Sequence, residues 1–124
     1  MKDTKKITTG KEGEKIAAAY LKKNGYRIIE INYRCPIGEI DIVAKEKDDL
    51  VFVEVKTRKS IELGYPEQAV GIRKQKKMSQ LALWYMQKRK IDNTNARFDV
   101  VAITLLSEKN EVKLIKNAFD FVAD

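Results

Sequence analysis

The stretch that most constrains the fold runs from residue 38 to residue 58 and reads GEIDIVAKEKDDLVFVEVKTR. Two apolar runs flank a short charged break at residues 46–49, a pattern typical of a β-hairpin. If the turn is centred in this break, residues whose numbers sum to 95 are paired, and Asp41 lies opposite Glu54. Directly opposed residues share a face of a sheet, with their Cβ atoms about 5 Å apart. The sequence therefore predicts two carboxylates held together on neighbouring strands.

Two carboxylates at this distance repel each other and destabilise a hairpin, so folding alone does not explain them. A divalent cation bound between them does, because hard cations are held by carboxylate oxygens and usually keep several water molecules. Lys56 follows Glu54 by two residues and points to the same face, since side chains alternate along a strand. The pattern therefore predicts that Asp41 and Glu54 bind Mg²⁺ or Mn²⁺ beside a fixed ammonium group. A register shift of one residue would separate these groups.

Asp41 followed by the tripeptide Glu54-Val55-Lys56 resembles the signature of the PD-(D/E)XK nuclease superfamily. Over most of its length the chain also resembles the YraN-type endonuclease-like family, which is related to the archaeal Holliday junction resolvases. The segments that carry this resemblance are Gly13-Glu14 with residues 17–21, then residues 38–41, 52–58, 66–70 and 97–101. The chain departs from the signature at one position: Glu39 occupies the place of the proline in the superfamily's name. Many members of the superfamily lack this proline.

The resemblance implies an α/β fold with a restriction-endonuclease-like α-β-β-β-α-β core, in which helices flank a mixed sheet. It also implies a Mg²⁺- or Mn²⁺-dependent endodeoxyribonuclease that acts on branched, single-stranded or otherwise structured DNA in repair or recombination. Asp41, Glu54 and Lys56 would then be the catalytic residues. Glu14 and the carbonyl oxygen of Val55 would join the two carboxylates as metal ligands.

Glu14 has a second explanation that does not involve a metal. The sequence predicts a disordered tail over residues 1–8 and a single domain over residues 9–124, with a first helix capped by Thr9. Glu14 would then be an acid near the helix N-terminus, where the helix dipole favours negative charge. The sequence alone leaves both explanations open.

The chain carries 25 basic and 18 acidic residues, a net charge of +7, and its pI is near 9.4. This excess favours an anionic partner, either nucleic acid or a membrane surface, although it is also compatible with a merely soluble basic protein. Lys74 interrupts the apolar stripe of a predicted helix, so it either extends to solvent or reaches a cleft. The residues predicted to contact DNA are Arg34, Arg58, Lys59, Gln68, Lys74 and Lys77. For Arg58, Lys59, Lys74 and Lys77, ordinary solvated surface is the alternative.

Several classes of function are excluded by residue types. The chain has no histidine, which excludes His-bound zinc and Ser-His-Asp hydrolysis. Its single cysteine, Cys35, forms no internal disulfide. The first residues lack the apolar segment of a secretory signal, and no apolar run approaches the about 20 residues that span a bilayer. We therefore expect a cytoplasmic protein that does not act on a membrane. The resemblance implies DNA as its partner, and the protein would act alone, as a homodimer or with a protein partner.

The C-terminal third predicts the rest of the sheet. Residues 97–106 form the most continuous apolar run, which indicates a central buried strand, and the long helix before it predicts a parallel crossover. Asp99 lies near the start of this strand and is expected to pair with Arg97 or to cap a helix. A last strand is expected at residues 111–116.

Two other classes of function remain open. The first is a nucleic-acid-binding module that keeps the fold and has little or no activity, so that its DNA binding is sensitive to salt and indifferent to Mg²⁺. The second is a structural or adaptor protein in which Asp41, Glu54 and Lys56 form an internal charge network. In that network Lys56 would compensate one carboxylate and leave the other uncompensated.

Overall fold

The positions of the helices and strands follow from a computed structural model that describes residues 2–59, 70–106 and 108–123. Along these ranges the elements are α1 (Lys2–Lys23), β1 (Arg27–Cys35), β2 (Gly38–Glu46), β3 (Asp49–Arg58), α2 (Ile72–Lys88), β4 (Ala96–Leu105) and β5 (Asn110–Phe119). The order α-β-β-β-α-β-β agrees with the predicted mixed sheet flanked by helices and is consistent with a restriction-endonuclease-like core.

The described strands form one sheet in the order β1-β2-β3-β4-β5. Neighbouring strands are antiparallel except for β3 and β4, which run parallel because α2 connects them. The predicted parallel crossover is therefore confirmed. The predicted last strand is also confirmed, and it is longer than expected.

Each face of the sheet is covered by one helix. On one face, Ala17 and Leu21 of α1 pack against a buried cluster that includes Ile42, Val53 and Val101. The opposite face carries a second buried cluster, in which residues of α2 meet residues of β2, β3 and β4: Met78, Leu81, Ala82 and Tyr85 with Val43, Phe52 and Phe98. Because both faces of the central strands are covered, β3 and β4 read as continuous apolar runs.

The first helix begins at Lys2, earlier than the start near Thr9 that the sequence predicted. This corrects the predicted boundary, which rested on a capping residue that lies inside the helix. Residues 60–69, including the predicted DNA contact Gln68, lie outside the described residues. Neither α1 nor α2 combines the length and the apolar content needed to cross a lipid bilayer.

Candidate functional site

The register of the β2–β3 hairpin decides which side chains meet. The pairs run from Glu46↔Asp49 at the turn to Ile42↔Val53, so their numbers sum to 95 as predicted. Asp41 and Glu54 follow as the next residues of their strands, one on each side of the hairpin. The predicted register is therefore confirmed over these pairs.

Asp41 lies where the regular alternation of β2 ends. Ile40 packs in the cluster on the α2 side, whereas Ile42 and Ala44, which alternation would place on the same face, pack on the α1 side. The carboxylate of Asp41 is held by the β3 backbone, because the N–H of Val55 donates to Asp41 Oδ2 over 2.8 Å. Asp41 is thus fixed beside β3 by a hydrogen bond that the sequence did not predict. The predicted role of the Val55 carbonyl oxygen as a metal ligand stays a prediction. The structure adds a separate role for the N–H of Val55, which donates to Asp41.

Glu54 is 7% exposed, and its charge is compensated by two ammonium groups. Its Oε2 atom lies 3.4 Å from Lys56 Nζ and 3.2 Å from Lys74 Nζ. Lys56 therefore shares the site with Glu54, as the alternation of β3 predicts. Lys74 extends from α2 to the same oxygen, which shows that it reaches the cleft between the helix and the sheet.

The carboxyl group of Asp41 is perturbed by its surroundings, including the neighbouring charge of Glu54. Burial, followed by the negative charge of Glu54, raises the pKa of Asp41 from 3.8 to about 7, although the hydrogen bond from Val55 N–H acts in the opposite direction. Ionisation of Asp41 is therefore unfavourable in the folded protein, even with two lysines beside Glu54.

Glu14 approaches the pair from α1. Its Oε1 accepts a hydrogen bond of 2.9 Å from the side-chain amide of Asn32 on β1, and its charge contributes to the raised pKa of Asp41. The pKa of Glu14 is itself raised, first by burial and then by the charge of Glu39, against the effect of the Asn32 hydrogen bond. Because α1 begins at Lys2, Glu14 lies well beyond the first turn, so the helix-dipole explanation for this acid does not hold.

Two residues that support Glu14 were not recognised from the sequence. Gly13 is buried, and a Cβ atom there would overlap Thr57 Oγ1, so glycine allows α1 to lie directly against β3 beside the carboxyl pair. A glycine inside a helical pattern is a signal for such close contact. Asn32 has a positive φ of 58° on β1 and gives no comparable signal in the sequence.

The remaining predicted DNA contacts lie around this end of the sheet. Arg34 is exposed and forms an ion pair of 3.4 Å with Glu39. Arg58 and the exposed Lys59 come at the end of β3, beyond Lys56. On α2, a groove beside the site is lined by Gly71, Arg73, Lys74, Lys76, Lys77 and Gln80. These positions form a basic border around an acidic centre.

Oxygen is the donor type that this centre offers to a cation. In the part of the chain that the structure describes, no group of three or more Asp, Glu or Cys side chains is placed to hold a metal ion together. Mg²⁺ is often bound by only one or two carboxylates, with water and substrate phosphates as its other ligands. The Asp41–Glu54 pair is compatible with that mode of binding and not with a site built entirely from protein ligands.

The chain is similar to known proteins over most of its length, including the segments that carry the motifs. A UPF0102 protein of Syntrophus aciditrophicus is 53% identical over 117 residues, which cover 94% of this chain and 92% of the relative. A UPF0102 protein of Caldicellulosiruptor saccharolyticus is 48% identical over 113 residues, which cover 89% and 95% of the two chains. Residues 13–103, which include the carboxyl pair and both lysines, match the family described as "Uncharacterised protein family UPF0102". The chain therefore belongs to the UPF0102 family.

Proposed function

We propose that this protein is a Mg²⁺- or Mn²⁺-dependent endodeoxyribonuclease that hydrolyses phosphodiester bonds in branched or otherwise structured DNA. The observation that carries the proposal is the Asp41–Glu54 carboxyl pair at the end of the β2–β3 ladder, with Lys56 Nζ 3.4 Å from Glu54. Burial beside the charge of Glu54 makes ionisation of Asp41 costly for the fold, so the placement of Asp41 calls for a functional reason. The resemblance to the PD-(D/E)XK nucleases supplies that reason.

In this proposal Asp41 and Glu54 would hold the cation, with the carbonyl oxygen of Val55 and water molecules as further ligands, whereas Glu14 would act on the site from α1 through its charge. When bound there, the ion would supply a water molecule of lowered pKa and polarise an oxygen of the scissile phosphate. The raised pKa of Asp41 indicates that this carboxyl group gains from a nearby positive charge.

The protein's own residues have distinct tasks in the reaction. The N–H of Val55 holds the carboxylate of Asp41 in a fixed position, so the ligand does not need to be ordered when substrate binds. The ammonium group of Lys56 would orient the attacking water and donate to a phosphoryl oxygen as negative charge develops on it. Lys74 brings a second cation to Glu54 Oε2, which reduces the repulsion between a polyanionic substrate and the acidic centre.

A DNA-binding module without appreciable turnover is the second candidate, and one contact favours it. Two ammonium groups on the same oxygen already compensate Glu54 without any metal. In such a module the basic border would bind DNA phosphates through contacts that are independent of sequence and weaken with salt.

Titration with Mg²⁺ and Mn²⁺, with and without DNA, separates the two candidates. The substrates are a four-way junction, a flap, a nicked duplex and a single strand, and both binding and strand cleavage are measured. We expect cleavage of at least one substrate that requires the metal and is abolished by Asp41→Asn. Asp48→Asn is the matched control, because Asp48 is an exposed acid in the turn at the other end of the hairpin. DNA binding that is indifferent to metal, with no cleavage of any substrate, would favour the binding module.

A further inference from the structure

A second cavity lies on the α2 side of the sheet, toward the turn of the β2–β3 hairpin. It has a volume of about 450 Å³ and is bordered by β1, β2, β3 and the connection from α2 to β4. Lys45, one of its lining residues, is four residues from Asp41 along β2, which corresponds to about 13 Å. The cavity is therefore separate from the carboxyl pair.

A pair of like charges lines this cavity. Arg27 of β1 and Lys45 of β2 are direct partners in the sheet register, and both line the cavity. Like charges placed opposite each other across two strands are destabilising. Within the described ranges, neither side chain forms an ion pair with a carboxylate. Among the described residues, these two cations therefore face each other with no carboxylate within ion-pair distance.

Lys90 adds a third cation from an unusual backbone position. The end of α2 forms a Schellman motif, in which Ile91 N–H donates to the Met86 carbonyl over 2.8 Å and Lys90 N–H to the Gln87 carbonyl over 3.2 Å. The residue after the helix cap in this motif is left-handed and is usually glycine, but here it is Lys90 with φ of 54°. A lysine at a position that favours glycine costs backbone energy, and its side chain lines the cavity.

Apolar side chains form the floor between these cations. They are Leu50, Ile91 and Ile29, of which Ile29 is 41% exposed on an edge strand. Arg89 also lines the cavity, but its guanidinium group is already paired with a carboxylate, because its Nη2 lies 2.6 Å from Glu30 Oε2. The lining also includes one acid, Asp92.

We propose that this cavity binds a nucleotide, with its phosphate among Arg27, Lys45 and Lys90 and its base on the apolar floor. Inorganic phosphate would satisfy the cations without using the floor, and an apolar ligand would leave the cations without a counterion. A nucleotide satisfies both, and the volume lies within the range of small-molecule sites. The nucleotide is either free or an unpaired unit of a DNA strand. This site does not depend on the proposed nuclease activity.

The test follows the isoleucine methyl signals by NMR during titration with thymidine 5′-monophosphate, thymidine, inorganic phosphate and a ten-residue oligothymidylate. We expect saturable shifts at Ile29 and Ile91 with the monophosphate. Thymidine and phosphate alone should each bind at least about tenfold more weakly. Tighter binding of the oligonucleotide would identify a DNA strand as the source, and equal or weaker binding would identify a free nucleotide. Equal affinity for phosphate and the monophosphate would overturn the proposal, as would the absence of saturable shifts with both the monophosphate and the oligonucleotide.

Variants connect the binding to the named cations. Arg27→Gln with Lys45→Gln should weaken monophosphate binding by about tenfold or more, while Lys22→Gln with Lys23→Gln, which removes the same charge from the exposed end of α1, should not. Lys90→Gly should also weaken binding, yet it should keep or raise the melting temperature, because glycine suits the left-handed position. Asp41→Asn should leave monophosphate affinity unchanged, which distinguishes this site from the carboxyl pair. Unaltered affinity in both the double variant and Lys90→Gly would contradict the assignment.

Discussion

The two ends of the β2–β3 hairpin both carry buried or half-buried charges, but they treat them in opposite ways. At the turn end, the acids Glu46 and Asp49 meet one guanidinium group from β4. At the open end, Asp41 and Glu54 meet each other. The charges of Glu46 and Asp49 stabilise the folded state, whereas the charge of Asp41 destabilises it.

At the turn end, Arg97 is the centre of a compensated network. Its guanidinium lies 2.6 Å from Glu46, 2.7 Å from Asp49 and 3.0 Å from Asp99. Asp99 is fully buried and also accepts hydrogen bonds from the hydroxyl of Tyr26 and the N–H of Asn117, over 2.7 and 2.9 Å. Every acid in this cluster therefore has a donor.

The direction of the pKa shifts records this difference. Hydrogen bonds from Lys116 and then Arg97 lower the pKa of Glu46, and those from Asn95 and Arg97 lower the pKa of Asp49. Burial and the charge of Glu54 raise the pKa of Asp41. Ionised Glu46 and Asp49 thus stabilise the folded state at the turn end, whereas ionised Asp41 destabilises it at the open end. The two ends of the hairpin therefore differ in the sign of what an ionised acid contributes to stability.

The largest effect should come from breaking the compensated network. Arg97→Met removes the partner of a fully buried carboxylate, Asp99, and should lower the free energy of unfolding by about 3–5 kcal/mol at pH 7. Lys116→Met is the control, because Lys116 is half exposed and contacts Glu46 alone among the acids of the cluster, so its loss should cost less than about 1 kcal/mol. Urea denaturation measures both values. Similar small losses in the two variants would show that the turn end is not a structural network.

At the open end, removing a charge should have the opposite effect. Asp41→Asn eliminates the repulsion with Glu54 and should leave the free energy of unfolding of the metal-free protein unchanged or raise it, by on the order of 1–2 kcal/mol at pH 8. The same urea experiment with Asp48→Asn provides the reference for loss of an exposed acid. A large destabilisation by Asp41→Asn would instead favour the internal-network interpretation.

The contributions of the two ends of the hairpin to folding stability should depend on pH with opposite signs. The folded-state pKa of Asp41 is raised, so its contribution to stability falls as pH increases from about 4 to about 7. The folded-state pKa of Glu46 is lowered, so its contribution is present above its ordinary pKa of 4.5 and is lost as pH falls through the lowered value. We therefore expect the advantage of Asp41→Asn at pH 8 to vanish near pH 4, in unfolding curves measured without metal. An advantage that is equal at both pH values would contradict the assigned shift.

The smallest effects should come from the basic border. Lys74→Ala and Arg58→Ala should each weaken DNA binding similarly for unrelated sequences and reduce the slope of log affinity against log salt by about one unit. Fluorescence anisotropy at several salt concentrations measures this slope, with Lys22→Ala as the control on the exposed end of α1. An unchanged slope would assign Lys74 and Arg58 to ordinary surface.

Local patterns were sufficient to predict the part of the site that lies on one hairpin. A charged break between two apolar runs fixes the turn, and the turn fixes the register from Ile42 to Val53, which brings Asp41 and Glu54 to neighbouring positions. Of the two roles expected for Asp99, pairing with Arg97 or capping a helix, the pairing with Arg97 is the one that the structure has.

Contacts between distant elements could not be predicted in the same way. The hydrogen bond from Asn32 to Glu14 joins β1 to α1, and the contacts of Arg97 with Glu46 and Asp49 join β4 to the hairpin. No periodicity in the sequence encodes which long-range polar partners meet. The sequence also does not show that the regular alternation of side chains along β2 ends at Asp41, because this depends on how Ile40 packs against α2.

The most direct test of the carboxyl pair as a nuclease site compares wild type with Lys56→Ala in three measurements: Mn²⁺ affinity, DNA affinity and nick formation on branched DNA. Lys56 contributes no metal ligand, so Mn²⁺ affinity should be kept or slightly raised, and DNA affinity should fall only slightly. Cleavage should drop by a factor on the order of a hundred or more, the scale for losing one charge-stabilising donor. Equal cleavage by the variant would contradict the role of Lys56, and a wild-type protein that makes no nicks with either metal would contradict the nuclease itself.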